Sequence, residues 1–279
     1  MKKLIVNADD YGRTPSVSAG IRHAHLHGLV TSTTAMMNMP RVAEDLRLAL
    51  AECPALGLGV HLTLTAESPV LPPEQVPSLV GLADGKHFPT QAQLNVGARQ
   101  VNVAEVKAEW HAQISAFVRV TGRAPTHLDS HHHTSYFSPA LFRAMLELAR
   151  EFKCGIRWPI PLADPAQDLL DGVSPTAFAR AQAFLREALA AAPDIPHPDA
   201  FEPRFYGESV SSATLHHLIA ELPEGTTELM SHPGFVDDEL QRGSSYNITR
   251  EQEIAALTDP AVLAWVAEQG VQRISFAGL

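Results

Sequence analysis

The chain has 279 residues, 45% hydrophobic and 19% charged, an ordinary globular composition that suits one large α/β domain over 1–279 better than two small ones. Its formal net charge of −10, with no basic run, argues against a nucleic-acid partner. No stretch approaches the roughly 18 apolar residues of a membrane span, and no signal-peptide core follows Met1-Lys2-Lys3, so a soluble, cytoplasmic protein without a membrane partner is expected.

Strand-like and helix-like segments alternate from the first residues. Residues 3–8 form an apolar strand that ends abruptly in Asp9-Asp10-Tyr11-Gly12, and residues 16–27 read as an amphipathic helix closed by Gly28. Residues 30–37 are a second strand, 41–52 a helix and 58–64 a third strand. Residues 66–100 carry Pro69, Pro72, Pro73, Pro77 and Pro89 without clear periodicity, which reads as a long loop or lid. A helix over 103–120, a strand over 127–130, a helix over 139–152 opened by Pro139 and a short strand over 155–158 come next. Residues 177–191 and 211–222 read as helices, 227–230 as a strand running into Ser231-His232-Pro233-Gly234. Helices over 250–257 and 260–269 precede a last strand over 273–276. Repeated β-then-α units imply a parallel sheet with helical crossovers. Seven or eight such units in about 250 residues are the size of a (β/α) barrel, whose site lies at the carboxyl ends of its strands.

Several clusters fall at those ends. Thr126-His127-Leu128-Asp129-Ser130-His131-His132-His133 is dense in metal-ligand side chains, and strand alternation puts His127, Asp129, His131 and His133 on one side. Parity does not choose between His131 and His133. Asp9 and Asp10 are adjacent, so one can hold a metal while the other is free to take a proton. His61 stands in the apolar middle of Gly59-Val60-His61-Leu62-Thr63-Leu64-Thr65. A carboxylate, two imidazoles and an open water position make a catalytic site, because structural zinc sites are closed by four protein ligands. His232, in its Ser-His-Pro turn, is the candidate proton donor to a leaving amine. Arg157 is expected to hold the base carboxylate or bind substrate, and Asp129 is grouped with it among the substrate contacts. His23, His25 and His27 read as solvated, and the isolated Cys53 and Cys154 as small buried hydrophobes. A barrel phosphoesterase is the competing enzymatic reading, but it wants cationic clamps that are sparse here. A sugar-binding protein with a structural metal is the non-enzymatic one, and it has no use for a free carboxylate beside a ligand.

With Val30-Thr31-Ser32-Thr33-Thr34 and Ser231-His232-Pro233 added, these motifs resemble the YdjC-type carbohydrate deacetylases over nearly the whole chain. The resemblance implies a distorted, TIM-like barrel akin to that of the polysaccharide deacetylases. It also implies one divalent metal ion (Mg2+ or Zn2+), homodimers, and removal of acetyl groups from N-acetylated sugars such as chitooligosaccharides. By matching position it implies Asp9 as base, Asp10, His61 and His131 as metal ligands, and His232 as proton donor. Tyr11 stands where the family usually has Phe. Ser135 stands where it often has another His, which touches substrate contacts rather than the metal triad.

Overall fold

Apolar strands and amphipathic helices alternate because each helix covers the sheet with one stripe of apolar side chains. In the computed structural model, which describes residues 1–81, 84–95, 101–136, 138–158, 160 and 175–279, this alternation builds one parallel sheet. Its strands are β1 (Lys2–Tyr11), β2 (Ser32–Ala35), β3 (Gly57–Leu62), β4 (His127–Ser130), β5 (Gly155–Ile156), β6 (Ala200–Glu202), β7 (Gly225–Ser231) and β8 (Gln272–Arg273). The helices are α1 (Pro15–His27), α2 (Val42–Glu52), α3 (Gln91–Asn95), α4 (Val103–Thr121), α5 (Pro139–Phe152), α6 (Pro175–Ala190), α7 (Ser212–Ala220), α8 (Asp238–Gly243), α9 (Ile248–Leu257) and α10 (Pro260–Glu268). Side-chain caps set several helix starts: Thr14 accepts from Val17 N, Asn102 from Ala104 N and Ser138 from Leu141 N. The expected loop over 66–100 holds a short 3-10 turn at Pro73–Gln75 and α3, and its residues 82–83 and 96–100 lie outside the described residues.

The strand order is β5-β4-β3-β2-β1-β7-β6, curled into a half-barrel. β5 and β6 end this path, and among the described residues no strand pairing joins them. One backbone bond approaches the seam, from Ile156 N to the Pro196 carbonyl at 2.9 Å. The last strand, Gln272–Arg273, therefore does not close the barrel. β8 pairs instead with Lys3 and Leu4 of β1, while β2 pairs with Asn7, Ala8 and Tyr11 further along. β1 is longer than its neighbours and shares one flank between the two.

The sheet has two unlike faces. Leu4, Val6 and Ala8 point out into the core shared with α1, α2, α4 and α5. Ile5, Phe201, Met230 and Phe276 are equally buried but stand outside that core, on the lumen side. The chain leaves β8 through a 3-10 turn at Phe276–Gly278, which brings the Phe276 ring flat against His127, 3.6 Å between centroids and 3° between planes. Phe276 N also donates to Ser32 Oγ at 3.0 Å. The tail is thus a plug under the lumen. Phe276→Ala is expected to cost about 3–5 kcal/mol of folding stability, the usual range for emptying a buried aromatic site. An unchanged midpoint in chemical denaturation would show that the plug contributes nothing.

Candidate metal centre

β1 carries the two aspartates into the lumen mouth by breaking its own alternation. Ala8 pairs with Thr33 but Tyr11 pairs with Ala35, so β1 holds one extra residue between them. Asp10 takes up the slack with φ 70°, a left-handed conformation that Asp and Asn tolerate better than most residues. The bulge turns Asp9 and Asp10 toward the same mouth and sends Tyr11 outward, where its hydroxyl donates to the Asp45 carbonyl. Simple parity would have put Asp10 on the helix side.

Asp10 meets two imidazoles. Its Oδ1 lies 3.1 Å from His131 Nδ1 and 3.4 Å from His61 Nε2, all three side chains buried. Neither approach has hydrogen-bond geometry, so Asp10 Oδ1 is a buried carboxylate oxygen that accepts no hydrogen bond. His61 is oriented from behind: its Nδ1 donates to Asp129 Oδ1 at 2.6 Å, and Thr34 Oγ1 donates to Asp129 Oδ2 at 3.0 Å. A carboxylate behind an imidazole whose other nitrogen faces a ligand cluster is the usual outer arrangement of a metal-binding histidine. Donor atoms of Asp10, His61 and His131 all lie within 4.8 Å of one another. The orphaned oxygen and this donor set fit one divalent ion. A second trio, Asp9, His61 and Asp129, is equally close, but the Arg157 guanidinium already supplies its cation.

Arg157 is the largest charged group in the lumen and completely buried. Its Nη1 and Nη2 donate to the two oxygens of Asp9 at 2.8 and 2.6 Å, and its Nε donates to Glu228 Oε1 at 2.8 Å. Asp129 Oδ2 lies 3.0 Å from Nη2, and the Phe201 ring centroid 5.0 Å from the guanidinium carbon. One side chain leaving β5 thereby reaches β1, β4, β6 and β7 and bridges the open seam. Asp129 is as fully buried as Arg157, so the two expected substrate contacts stand beneath the cluster, holding Asp9 and His61.

Burial pushes the Asp9 carboxyl up, but Arg157 more than offsets this and holds it well below the usual carboxylate range. Burial acts likewise on Asp10, and His131 and Arg250 hold it well below that range. For His61, burial pulls down while Asp129 and Asp10 push up, to about 10. A proton on His61 stands where the carboxylates call for a cation. Burial lowers His232 to about 4; its Nε2 is 3.9 Å from Asp9 Oδ2.

The remaining histidines divide. His127 Nε2 donates to Asn7 Oδ1 at 3.0 Å, and Asn7 Nδ2 donates to Asp9 Oδ1 at 2.8 Å. Gly59 makes room for that ring, since a Cβ there would stand 2.6 Å from it. His131–His133 leave the strand as a 3-10 turn with positive φ at His132 and His133, so alternation stops at Ser130. His131 turns to Asp10, while His133 packs near Tyr136 and Phe201. His132 Nδ1 and Thr65 Oγ1 are 2.9 Å apart. Beside His131 and His132 opens a cleft of about 290 Å³, whose walls include Arg13, Thr14, Thr65 and Glu67.

Sequence reasoning missed Arg250 and Glu253, both buried on α9. Arg250 Nη2 donates to Asp10 Oδ2 at 2.6 Å, and the His232 backbone N–H donates to Glu253 Oε2 at 2.5 Å. Nothing in Thr249-Arg250-Glu251-Gln252-Glu253 separates these two from a solvated helix face.

Sheet and cluster together define an α/β half-barrel with a carboxylate–imidazole site at the carboxyl ends of its strands. The chain belongs to the YdjC-like protein family, whose model matches residues 3–268. It is 35% identical to a carbohydrate deacetylase of Enterococcus faecalis over 100% of this chain and 98% of that one. It is 33% identical to a chitooligosaccharide deacetylase of Proteus mirabilis, covering 99% and 98%. A crystal structure from Enterococcus faecalis V583, provisionally described as a cellobiose-phosphate cleavage protein, superposes with TM-score 0.85 at 35% identity, covering 99% and 98%. A peptidoglycan N-acetylglucosamine deacetylase shares the fold alone, with TM-score 0.50 at 12% identity over 98% of this chain and 85% of that one.

Proposed function

We propose that the chain is a divalent-metal-dependent carbohydrate deacetylase that removes acetyl groups from N-acetylated sugars or oligosaccharides. The observation that carries this reading is Asp10 Oδ1, which accepts no hydrogen bond and faces two imidazoles beside the ionised Asp9. The names of the relatives supply the substrate class, and the cleft beside His131 offers hydroxyl and charged groups suited to a sugar.

Asp10, His61 and His131 would hold the ion. Two imidazoles and one carboxylate suit zinc or another transition ion better than magnesium, which prefers all-oxygen shells. When bound, the ion acidifies water and polarises the acetyl carbonyl. Asp9 is the base: Arg157 keeps it ionised and aimed, and Asn7, itself held by His127, donates to its Oδ1. Its low proton affinity makes it a weak base, which suits a water already made acidic. His232 is the proton donor to the leaving amine. It is neutral in the resting site, so it has to take up a proton during turnover, and Asp9 is the nearest anion to steady it. Arg157 and Asp129 act as positioning residues through Asp9 and His61.

Acetate release from N-acetylated oligosaccharides, measured with and without chelator, tests the function. Loss with chelator and recovery with Zn2+ is expected, and release unaffected by thorough chelation would overturn it. His61→Ala should lose metal in elemental analysis. His61 would have to give up its proton to serve as a ligand, so apparent metal affinity should rise with pH through neutrality. A flat profile from pH 6 to 8 would contradict that exchange.

A further inference from the structure

We propose that Arg250 and Glu253, one turn apart on α9, form a clamp that fixes the Asp10 carboxylate and the His232 peptide relative to each other. This rests on the metal reading of Asp10. Both residues it joins stand where the sheet no longer holds the chain. Asp10 lies within the bulge of β1, and the β1–β7 ladder ends at Ala8 and Ser231, one residue before His232. Their backbone and side chains need other partners, and α9 supplies them.

Arg250 Nη2 engages Asp10 Oδ2 at 2.6 Å, which leaves only Oδ1 turned to His61 and His131. Its Nη1 donates to the His232 carbonyl at 3.4 Å and its Nε to the Tyr246 carbonyl at 3.0 Å. Glu253 takes the other end of the His232 residue, accepting its N–H at 2.5 Å, and accepts the Tyr246 hydroxyl on its second oxygen at 2.5 Å. The Tyr246 ring stacks on Tyr206 at 4.5 Å, and both rings meet His232 edge-on, at 5.6 and 5.4 Å. Arg250 is 2% exposed and Glu253 fully buried. An arginine and a carboxyl group buried on an outer helix are justified only if their polar atoms are used, because desolvating them is unfavourable otherwise. Here both are used, on Asp10 within the cluster and on His232 beside Asp9. The clamp therefore sets how Asp10 presents its ligand oxygen and where the His232 ring stands. Neither residue touches the reacting atoms, so both are positioning residues.

The test measures Zn2+ affinity by chelator competition, together with kcat and KM for acetate release, in the intact protein, Arg250→Met, Arg250→Lys and Glu253→Gln. Arg250→Met should raise the Zn2+ dissociation constant by about 10–100-fold, the usual effect of losing a partner behind a ligand. Arg250→Lys, which keeps the cation but not the fork, should restore part of that loss. Glu253→Gln should leave the dissociation constant within about twofold while kcat falls by about tenfold at unchanged KM, because an amide has one acceptor oxygen for the two donors, the His232 N–H and the Tyr246 hydroxyl, which loosens His232 and not the ligands. If Arg250→Met does not fold, Arg250→Lys carries the test, and its affinity should still be weaker than that of the intact protein. A folded Arg250→Met that binds Zn2+ as tightly as the intact protein, or more tightly, overturns the clamp. So does a Glu253→Gln protein with unaltered kcat. An intact protein that takes up no Zn2+ overturns the metal reading and the clamp with it. An intact protein that binds Zn2+ but releases no acetate overturns the deacetylase reading, and the Arg250 affinities still decide the clamp.

Discussion

Asp9→Asn is expected to keep its metal and lose turnover by about 10²–10⁴-fold, the usual consequence of removing a general base. An amide cannot accept the proton from attacking water, yet it occupies the same space. It also keeps one oxygen for Arg157, so the fold should survive. Asp10→Asn should fail differently, with metal affinity falling first and excess ion restoring part of the rate. Measuring metal content and turnover on both variants separates the roles. Metal lost from Asp9→Asn and kept by Asp10→Asn would swap them, and full activity in both would place the chemistry elsewhere.

Arg157→Met is expected to lose about 3–5 kcal/mol of stability, since it leaves buried carboxylates without their cation. The loss should depend on pH in a defined direction. In the intact protein Arg157 holds Asp9 below its ordinary pKa of 3.8, so this contribution is complete above that value and fades as pH falls. Without Arg157, burial is opposed only by the weaker pull of His61 and His232, and the Asp9 pKa rises. Asp9 then favours the folded state only when protonated, and its contribution fades as pH rises. The gap between the two proteins in urea denaturation should therefore be wider at pH 7 than at pH 4.5. Equal gaps would mean that Arg157 contributes packing rather than charge. Turnover should fall with stability here, because the same guanidinium bridges the seam and steadies the base.

Much of this architecture was legible because it follows local rules. The apolar run ending at Asp9, the helix closed by Gly28 and the Pro139 helix start lie where those rules put them. The strand ends bearing Asp9, Asp10, His61, Asp129 and His131 do converge on one mouth, as the barrel rule requires. What was not legible is tertiary in origin. β6 is three residues long and follows Pro196 and Pro198, so neither length nor periodicity announces it. His131 and His133 could not be told apart by alternation because the strand stops at Ser130, and a turn decides which ring faces Asp10. Arg250 and Glu253 look like an exposed helical pair until the fold lays α9 against Asp10 and His232. A strand over 273–276 runs too far along, since Phe276 belongs to a turn that enters the lumen.

The left-handed backbone at Asp10 limits what that position can become. Most L-residues there would meet a backbone penalty of about 1–2 kcal/mol, whereas Asn and Gly would meet little. The neighbouring Asp9, on ordinary extended backbone, has no such filter. Natural variants of this chain that abandon the ion should therefore drift at position 10 toward Asn or Gly, while position 9 is restricted by the buried Arg157 it has to neutralise rather than by its backbone. A lineage could silence its chemistry at position 10 without disturbing its shape, and the traces of such a loss would be narrow in residue type.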